Sequence, residues 1–245
     1  MQLITVKDYS ELSRKAANII AAQILLKPDC LLGLATGSSP LGIYKCLIQK
    51  YQNQELDFSG VSTVNLDEYV GLSDDNPQSY HYFMKTNLFD HINIRPENCY
   101  IPSGTRTDSD AACHSMDHFI KASGGVDLQL LGLGENGHIG FNEPGPCFEK
   151  ENRIVALTES TIAANSRFFS SADEVPTSAY TMGIRTIMQA RKILIVVSGQ
   201  KKAQIAAKAF FGPVTPEVPA SILQLHTDVT LVADEAALAH MPRQL

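Results

Sequence analysis

Short apolar, β-prone runs alternate along this chain with windows of helical spacing, and that alternation restricts the fold more than any other feature. The runs fall at residues 30–35, 62–66, 126–131, 192–197 and 228–232, and a shorter one opens the chain at residues 3–6. Between them lie amphipathic windows. In the first, Leu12, Ala16 and Ile19 share a face, Asp8 and Glu11 have the spacing of a capping box, and Pro28 closes the helix. Strands separated by whole helices cannot pair as hairpins, so they must lie parallel and be joined by crossovers. The expectation is an α/β fold, Rossmann-like, with a mostly parallel sheet and helices on both faces. No linker or change of composition divides the chain, so 1–245 is taken as a single domain. Such a fold fixes little of the function, which is decided by the loops at the carboxyl ends of the strands.

The richest of those loops follows the run at 126–131. It reads Gly132-Leu133-Gly134-Glu135-Asn136-Gly137-His138-Ile139-Gly140-Phe141-Asn142-Glu143-Pro144. Gly132, Gly134 and Gly137 have the spacing of the dinucleotide fingerprint, and Glu159 stands near the distance expected of a ribose-binding acid. That reading requires a helix to start at once, because the helix N-terminus is what holds the pyrophosphate. Gly140, Pro144, Gly145 and Pro146 follow instead and forbid a regular helix. The better reading is a loop that presents His138 and Glu143 to a pocket.

Three other strand ends carry polar turns. Thr36-Gly37-Ser38-Ser39 leads into a helix expected to begin at Pro40, a residue suited to the first helical position. Backbone N–H groups and two hydroxyls would converge there on an anion, with an ordinary N-capped turn as the plain alternative. Asp67-Glu68 follows the run at 62–66. Adjacent acids in a loop are usually solvated, but beside an anion loop one of them becomes a candidate general base. Ser198-Gly199-Gln200-Lys201-Lys202 repeats the order of strand, glycine and helix, and its lysines are either solvated or anion ligands. His114 and His118 lie a turn apart on a helical window, without a third ligand or a glutamate directly after the first, so they read as an exposed face and not as a zinc site.

Charge and cysteine usage narrow the partners. A net charge of -6 with no basic stripe speaks against nucleic acid and against an anionic membrane surface. Any bound anion must then meet a local site. The 5 cysteines are scattered and contain no C-x-x-C pair, and no signal peptide is recognisable, so a cytoplasmic protein is expected. The longest uninterrupted apolar run, residues 193–197, is far short of the roughly 20 residues a membrane span needs.

Several stretches taken together resemble the glucosamine-6-phosphate deaminase family. They are Leu34-Ala35-Thr36-Gly37-Ser38-Ser39-Pro40, Asn65-Leu66-Asp67-Glu68-Tyr69-Val70-Gly71-Leu72, Gly132 to Pro144, Ala164-Asn165-Ser166-Arg167-Phe168-Phe169 and Leu223-Gln224-Leu225-His226. The resemblance runs in order over nearly the whole chain. It implies hydrolytic isomerisation of glucosamine 6-phosphate to fructose 6-phosphate and ammonia, with no metal and no organic cofactor. By the same resemblance His138 is the acid/base of ring opening, Asp67 moves a proton from C2 to C1, and Glu143 and Asn136 orient the histidine. The phosphate cradle it implies is Gly37, Ser38 and Ser39 with Arg167 and Lys202, Lys201 being the alternative to Lys202. Many members of the family carry aspartate where Asn136 stands. An amide can fix an imidazole but cannot stabilise its charged form as a carboxylate does. Longer members form allosteric hexamers. Pro146 and Val155 stand where an effector site would want polar or basic groups, so an unregulated, monomeric enzyme is expected.

Two other classes compete with that reading. A 6-phosphogluconolactonase of similar fold has a related glycine loop and histidine, but lactone hydrolysis needs no base at C2. A sugar-phosphate sensor needs only the anion cradle. The Asn-Leu-Asp-Glu-Tyr stretch and the Phe-Asn-Glu-Pro ending favour the deaminase over the lactonase, and Asp67, His138 and Glu143 kept together with the cradle argue against the sensor.

Overall fold

Local chemistry sets the first elements. β1 (Gln2–Val6) leads to Asp8, whose side chain accepts the Glu11 N–H at 2.9 Å and caps α1 (Tyr9–Leu26). Glu11 in turn takes the Lys7 N–H at 2.9 Å, which makes a capping box one residue wider than the usual one. β2 (Leu31–Leu34) and α2 (Leu41–Gln52) follow. Pro40 is the N-cap of α2 and not its first residue, and its carbonyl accepts the Tyr44 N–H.

The computed structural model describes residues 1–106, 109–158, 161, 162, 169 and 174–241. Beyond α2 the chain forms β3 (Ser62–Asn65), β4 (Asp67–Tyr69), α3 (Tyr80–Asn87), β5 (Cys99–Tyr100), α4 (Ser109–Ala122) and β6 (Leu128–Gly132). Its second half holds β7 (Arg153–Ala156), β8 (Ser178–Thr181), α5 (Ile184–Met188), β9 (Ile193–Val197), α6 (Ala203–Phe211) and β10 (Val229–Asp234). After Asp234 the chain makes turns through residue 240, where the apolar spacing suggests a short helix.

A seven-stranded sheet runs in the order β1-β10-β9-β6-β2-β3-β5, and every neighbouring pair is parallel. Every residue of β2 and β9 is buried. Since successive side chains point to opposite faces, the sheet is covered on both sides. The chain leaves β2 toward β3 and β5, then returns to β6 on the other flank of β2 and moves outward through β9. The switch point thus lies between the carboxyl ends of β2 and β6, where ligands bind in open α/β sheets. At the opposite edge the buried carboxylate of Asp127 accepts the Leu31 N–H and pairs with Lys27 at 2.8 Å and Arg191 at 3.2 Å. That anchors β2 against the start of β6.

One expectation needs correction. Asp67-Glu68 is not a loop but part of a second, antiparallel sheet ordered β4-β8-β7. The chain leaves the parallel ladder at Leu66, whose carbonyl accepts the Met182 N–H at 2.6 Å and so hands it to β8. A strand of three residues, two of them acidic, has no apolar alternation to announce it. On α4, His114 and His118 are exposed and Met116 faces the core. Among the described residues no helix is long and apolar enough to cross a membrane.

Candidate active site

The loop after β2 is braced from behind. Tyr44 Oη donates to the Ala35 carbonyl at 2.6 Å, and Tyr9 Oη lies 2.9 and 3.1 Å from the Ser38 and Ser39 carbonyls. The Gly42 N–H donates to the same Tyr9 oxygen at 2.9 Å. Gly37 holds φ +88°, a left-handed turn that suits glycine. Among the described residues nothing takes the N–H groups of Gly37, Ser38 and Ser39, so the loop presents donors at the switch point. Ser39 lies against Gly132, where a β-carbon would come within 3.4 Å of its Oγ. The loops after β2 and β6 therefore meet.

Asp67 and Glu68 face opposite ways because they are successive residues of β4. Glu68 is fully buried and accepts three backbone N–H groups, from Tyr69 at 2.8 Å, Tyr80 at 2.9 Å and His81 at 3.0 Å. It ties β4 to the start of α3. Burial pushes its carboxyl up to about 7, against the downward pull of those three bonds. Asp67 is buried too, yet no hydrogen bond from a described residue reaches its carboxylate. Burial pushes it up to about 8, and the neighbouring Glu68 adds to the rise. The dry wall beside it is aromatic: Tyr69 packs on Tyr80 at 4.9 Å and on Phe141 at 5.8 Å, and Tyr80 stacks on Phe141 at 6.3 Å.

The loop after β6 contains no helix, which removes the dinucleotide reading. Gly137 and Gly140 take φ +92° and +57° and coil the chain tightly around His138. Gly134 is glycine for space: a β-carbon there would stand 2.4 Å from Nε2 and Cδ2 of the imidazole. The ring thus lies on the backbone of its own loop. At Gly140 a β-carbon would be 3.2 Å from Thr181 Oγ1 and 3.6 Å from Asp67 Oδ2. The carboxylate of Asp67 accordingly abuts the loop two residues past the histidine.

Glu143 closes the cluster. Its Oε2 stands 3.4 Å from His138 Nδ1 and accepts the Asn136 amide at 2.5 Å. Its Oε1 accepts the Thr161 hydroxyl at 2.5 Å. Burial would raise this carboxyl, but the contacts with His138 first, then Thr161 and Asn136, outweigh it and hold the group down at about 2. Asn136 reaches the main chain of His138, whose N–H donates to its Oδ1 at 3.1 Å, and reaches the ring only through Glu143. With its oxygen committed to an N–H, the amide nitrogen is left to donate to an ionised carboxylate.

The remaining sequence candidates divide. Lys202 is half-buried in the 3-10 turn Gln200–Lys202 that opens α6, while Lys201 is exposed. Lys201 lines a neighbouring cleft of about 550 Å3 with Asn136, Gln204 and Lys208. Arg167 and Glu159 lie outside the described residues. Sequence reasoning missed Thr161, Thr181, Tyr9 and Tyr44. Each acts through one hydroxyl on a distant partner, and no spacing rule marks such a residue.

Comparison with known proteins adds to this geometry. A family model described as glucosamine-6-phosphate isomerases/6-phosphogluconolactonase matches residues 7–232. A glucosamine-6-phosphate deaminase of Lachnoclostridium phytofermentans is 59% identical over 232 residues, covering 95% of this chain and 98% of that protein. One of Clostridium acetobutylicum is 58% identical over 237 residues, covering 97% and 98%. A solved structure described as a monomeric glucosamine-6-phosphate deaminase superposes with a TM-score of 0.95 at 45% identity, covering 98% of this chain and all of that one.

Proposed function

The chain belongs to the family of glucosamine-6-phosphate isomerases and 6-phosphogluconolactonases, and from that premise we propose that it converts glucosamine 6-phosphate and water to fructose 6-phosphate and ammonia. The observation that carries the reading is the meeting of Asp67 with the His138 loop across Gly140, at the switch point and beside an anion-binding turn. A lactonase or a sensor has no use for a buried carboxylate at that place to which no described residue donates. We take residues 1–245 as one cytoplasmic, monomeric sugar-phosphate domain.

In this reading the phosphate sits on the N–H groups and hydroxyls of Gly37, Ser38 and Ser39, with Arg167 and Lys202 supplying charge. A local cradle lets a chain of net charge -6 hold a dianion. His138 takes the proton of the anomeric hydroxyl and delivers one to the ring oxygen, which opens the sugar. Glu143, ionised and fixed on both oxygens, holds the imidazole in place for both transfers. Asp67 then removes the proton from C2 and returns it to C1 through an enolamine. Tautomerisation places a C=N bond at C2, water adds there, and ammonia leaves. The substrate's own ammonium group at C2 favours the charged form of Asp67, so binding helps to create the base.

The test measures ammonia and fructose 6-phosphate from glucosamine 6-phosphate, with a chelator present throughout. Equimolar products from the wild type and almost none from Asp67→Asn are expected. A wild type that makes neither product but hydrolyses 6-phosphogluconolactone would transfer the chain to the other activity of its family.

A further inference from the structure

Glu143 stands on an irregular loop, where no helix or strand fixes its side chain. A carboxylate has two equivalent oxygens and turns readily about its last torsion. Hydrogen-bond donors must decide which oxygen faces the imidazole. Asn136 holds Oε2, the oxygen that faces His138, at 2.5 Å. Oε1, on the far side, is held by Thr161 at 2.5 Å.

We propose that Thr161 is a positioning residue for the acid/base step: its hydroxyl donates to Glu143 Oε1 and so fixes Oε2 toward His138. The proposal rests on the activity argued above, and it concerns a residue beyond that machinery. Direction follows from donor counting. An ionised Glu143 can only accept, so the single proton of Thr161 points at it. The Thr158 hydroxyl, 3.1 Å away, then donates to Thr161 Oγ1. Thr158 Oγ1 also receives the Thr161 N–H at 3.3 Å, which holds the Thr161 backbone in register. Thr161 is 6% exposed, so water does not readily replace the bond if it is removed.

Thr161→Val keeps the volume and removes the donor. We expect kcat to fall about tenfold with KM within about twofold of wild type, the cost of a mispositioned acid/base group. Affinity for an acyclic 2-amino-2-deoxy-alditol 6-phosphate, which has no ring to open, stays at the wild-type value. Thr161→Ser restores kcat. Should valine unfold the chain, Thr161→Ala gives the same signature. A titration of the Glu143 carboxyl followed by carbon-13 NMR moves upward in the valine or alanine variant and not in the serine variant, because a bond to the charged form has been lost. Wild-type kcat together with an unmoved Glu143 titration overturns the proposal. So does an equal loss of kcat and alditol affinity, which would place Thr161 with the phosphate and not with Glu143. If the wild type makes no fructose 6-phosphate, the activity reading fails, while the Glu143 titration still decides whether Thr161 holds that carboxylate.

Discussion

A buried carboxyl without a hydrogen-bond donor stays protonated until the solution is basic enough to force it, and among the described residues none donates to Asp67. Its value of about 8 against an ordinary 3.8 has two consequences. As the proposed base it must be ionised in the free enzyme, so kcat/KM is expected to climb with an apparent pKa near 8 in a pH-rate profile. As a buried acid it binds its proton more tightly folded than unfolded. Its contribution to stability is therefore present in acid and lost as pH rises from about 4 toward 8. Asp67→Asn, neutral throughout, should melt higher than the wild type at pH 8 while losing turnover by a factor on the order of 10²–10⁴. Calorimetry and a rate assay on the same preparation check both halves, and a variant that melts lower at pH 8 would contradict the burial argument. Residue type alone shows two neighbouring acids; the family resemblance singles out Asp67, and what sets the two environments apart is not in the local sequence. That depends on pairing between Asp67 and Thr181, residues far apart in the chain.

The elements around the site hold chemistry in place by two different means. Glu68 binds the first turn of α3 through Tyr80 and His81. Glu68→Gln leaves one oxygen where two accepted, so at least one buried N–H loses its partner, at a cost of roughly 1–3 kcal/mol. Faster hydrogen exchange at Tyr80 and His81 is the expected sign, with a Tm lower by about 2–4 °C per kcal/mol. The loop after β6 relies on space. In Gly134→Ala the new carbon would meet the imidazole at 2.4 Å, so His138 must move off its perch. A loss of roughly 10²-fold in kcat with an unchanged fold by circular dichroism would bear this out, and retained activity would show that the ring has another place to stand. The glycine pattern of this loop is legible in the sequence, but its reasons are mixed. Gly137 and Gly140 serve backbone angles, whereas Gly134 serves a side chain four residues on. Spacing alone makes Gly132, Gly134 and Gly137 look like one fingerprint.

Taken whole, the molecule sets a seven-stranded parallel sheet beside a three-stranded antiparallel one, and the candidate site occupies their seam. The larger sheet could be read in advance because its strands are continuous apolar runs set between helical windows. The smaller one is legible only in part: residues 153–157 read as a short strand and contain β7, whereas β4, three residues of which two are acidic, carries no strand signal. The unregulated monomer proposed above should elute and scatter light as a particle of about 26.7 kDa and give hyperbolic kinetics. A sigmoidal rate curve would refute this. The seam also makes activity depend on strand alignment. Asp67 lies opposite Thr181 and Glu68 opposite Tyr180. A slip of one residue in β4 would turn every side chain to the other face, so the acid that anchors α3 and the acid proposed as the base would exchange places. Such a molecule would keep its composition, most of its core and nearly all of its secondary structure, yet its base would be pinned under three amides. Turnover is therefore a sharper report of correct folding in this chain than any spectrum of its backbone.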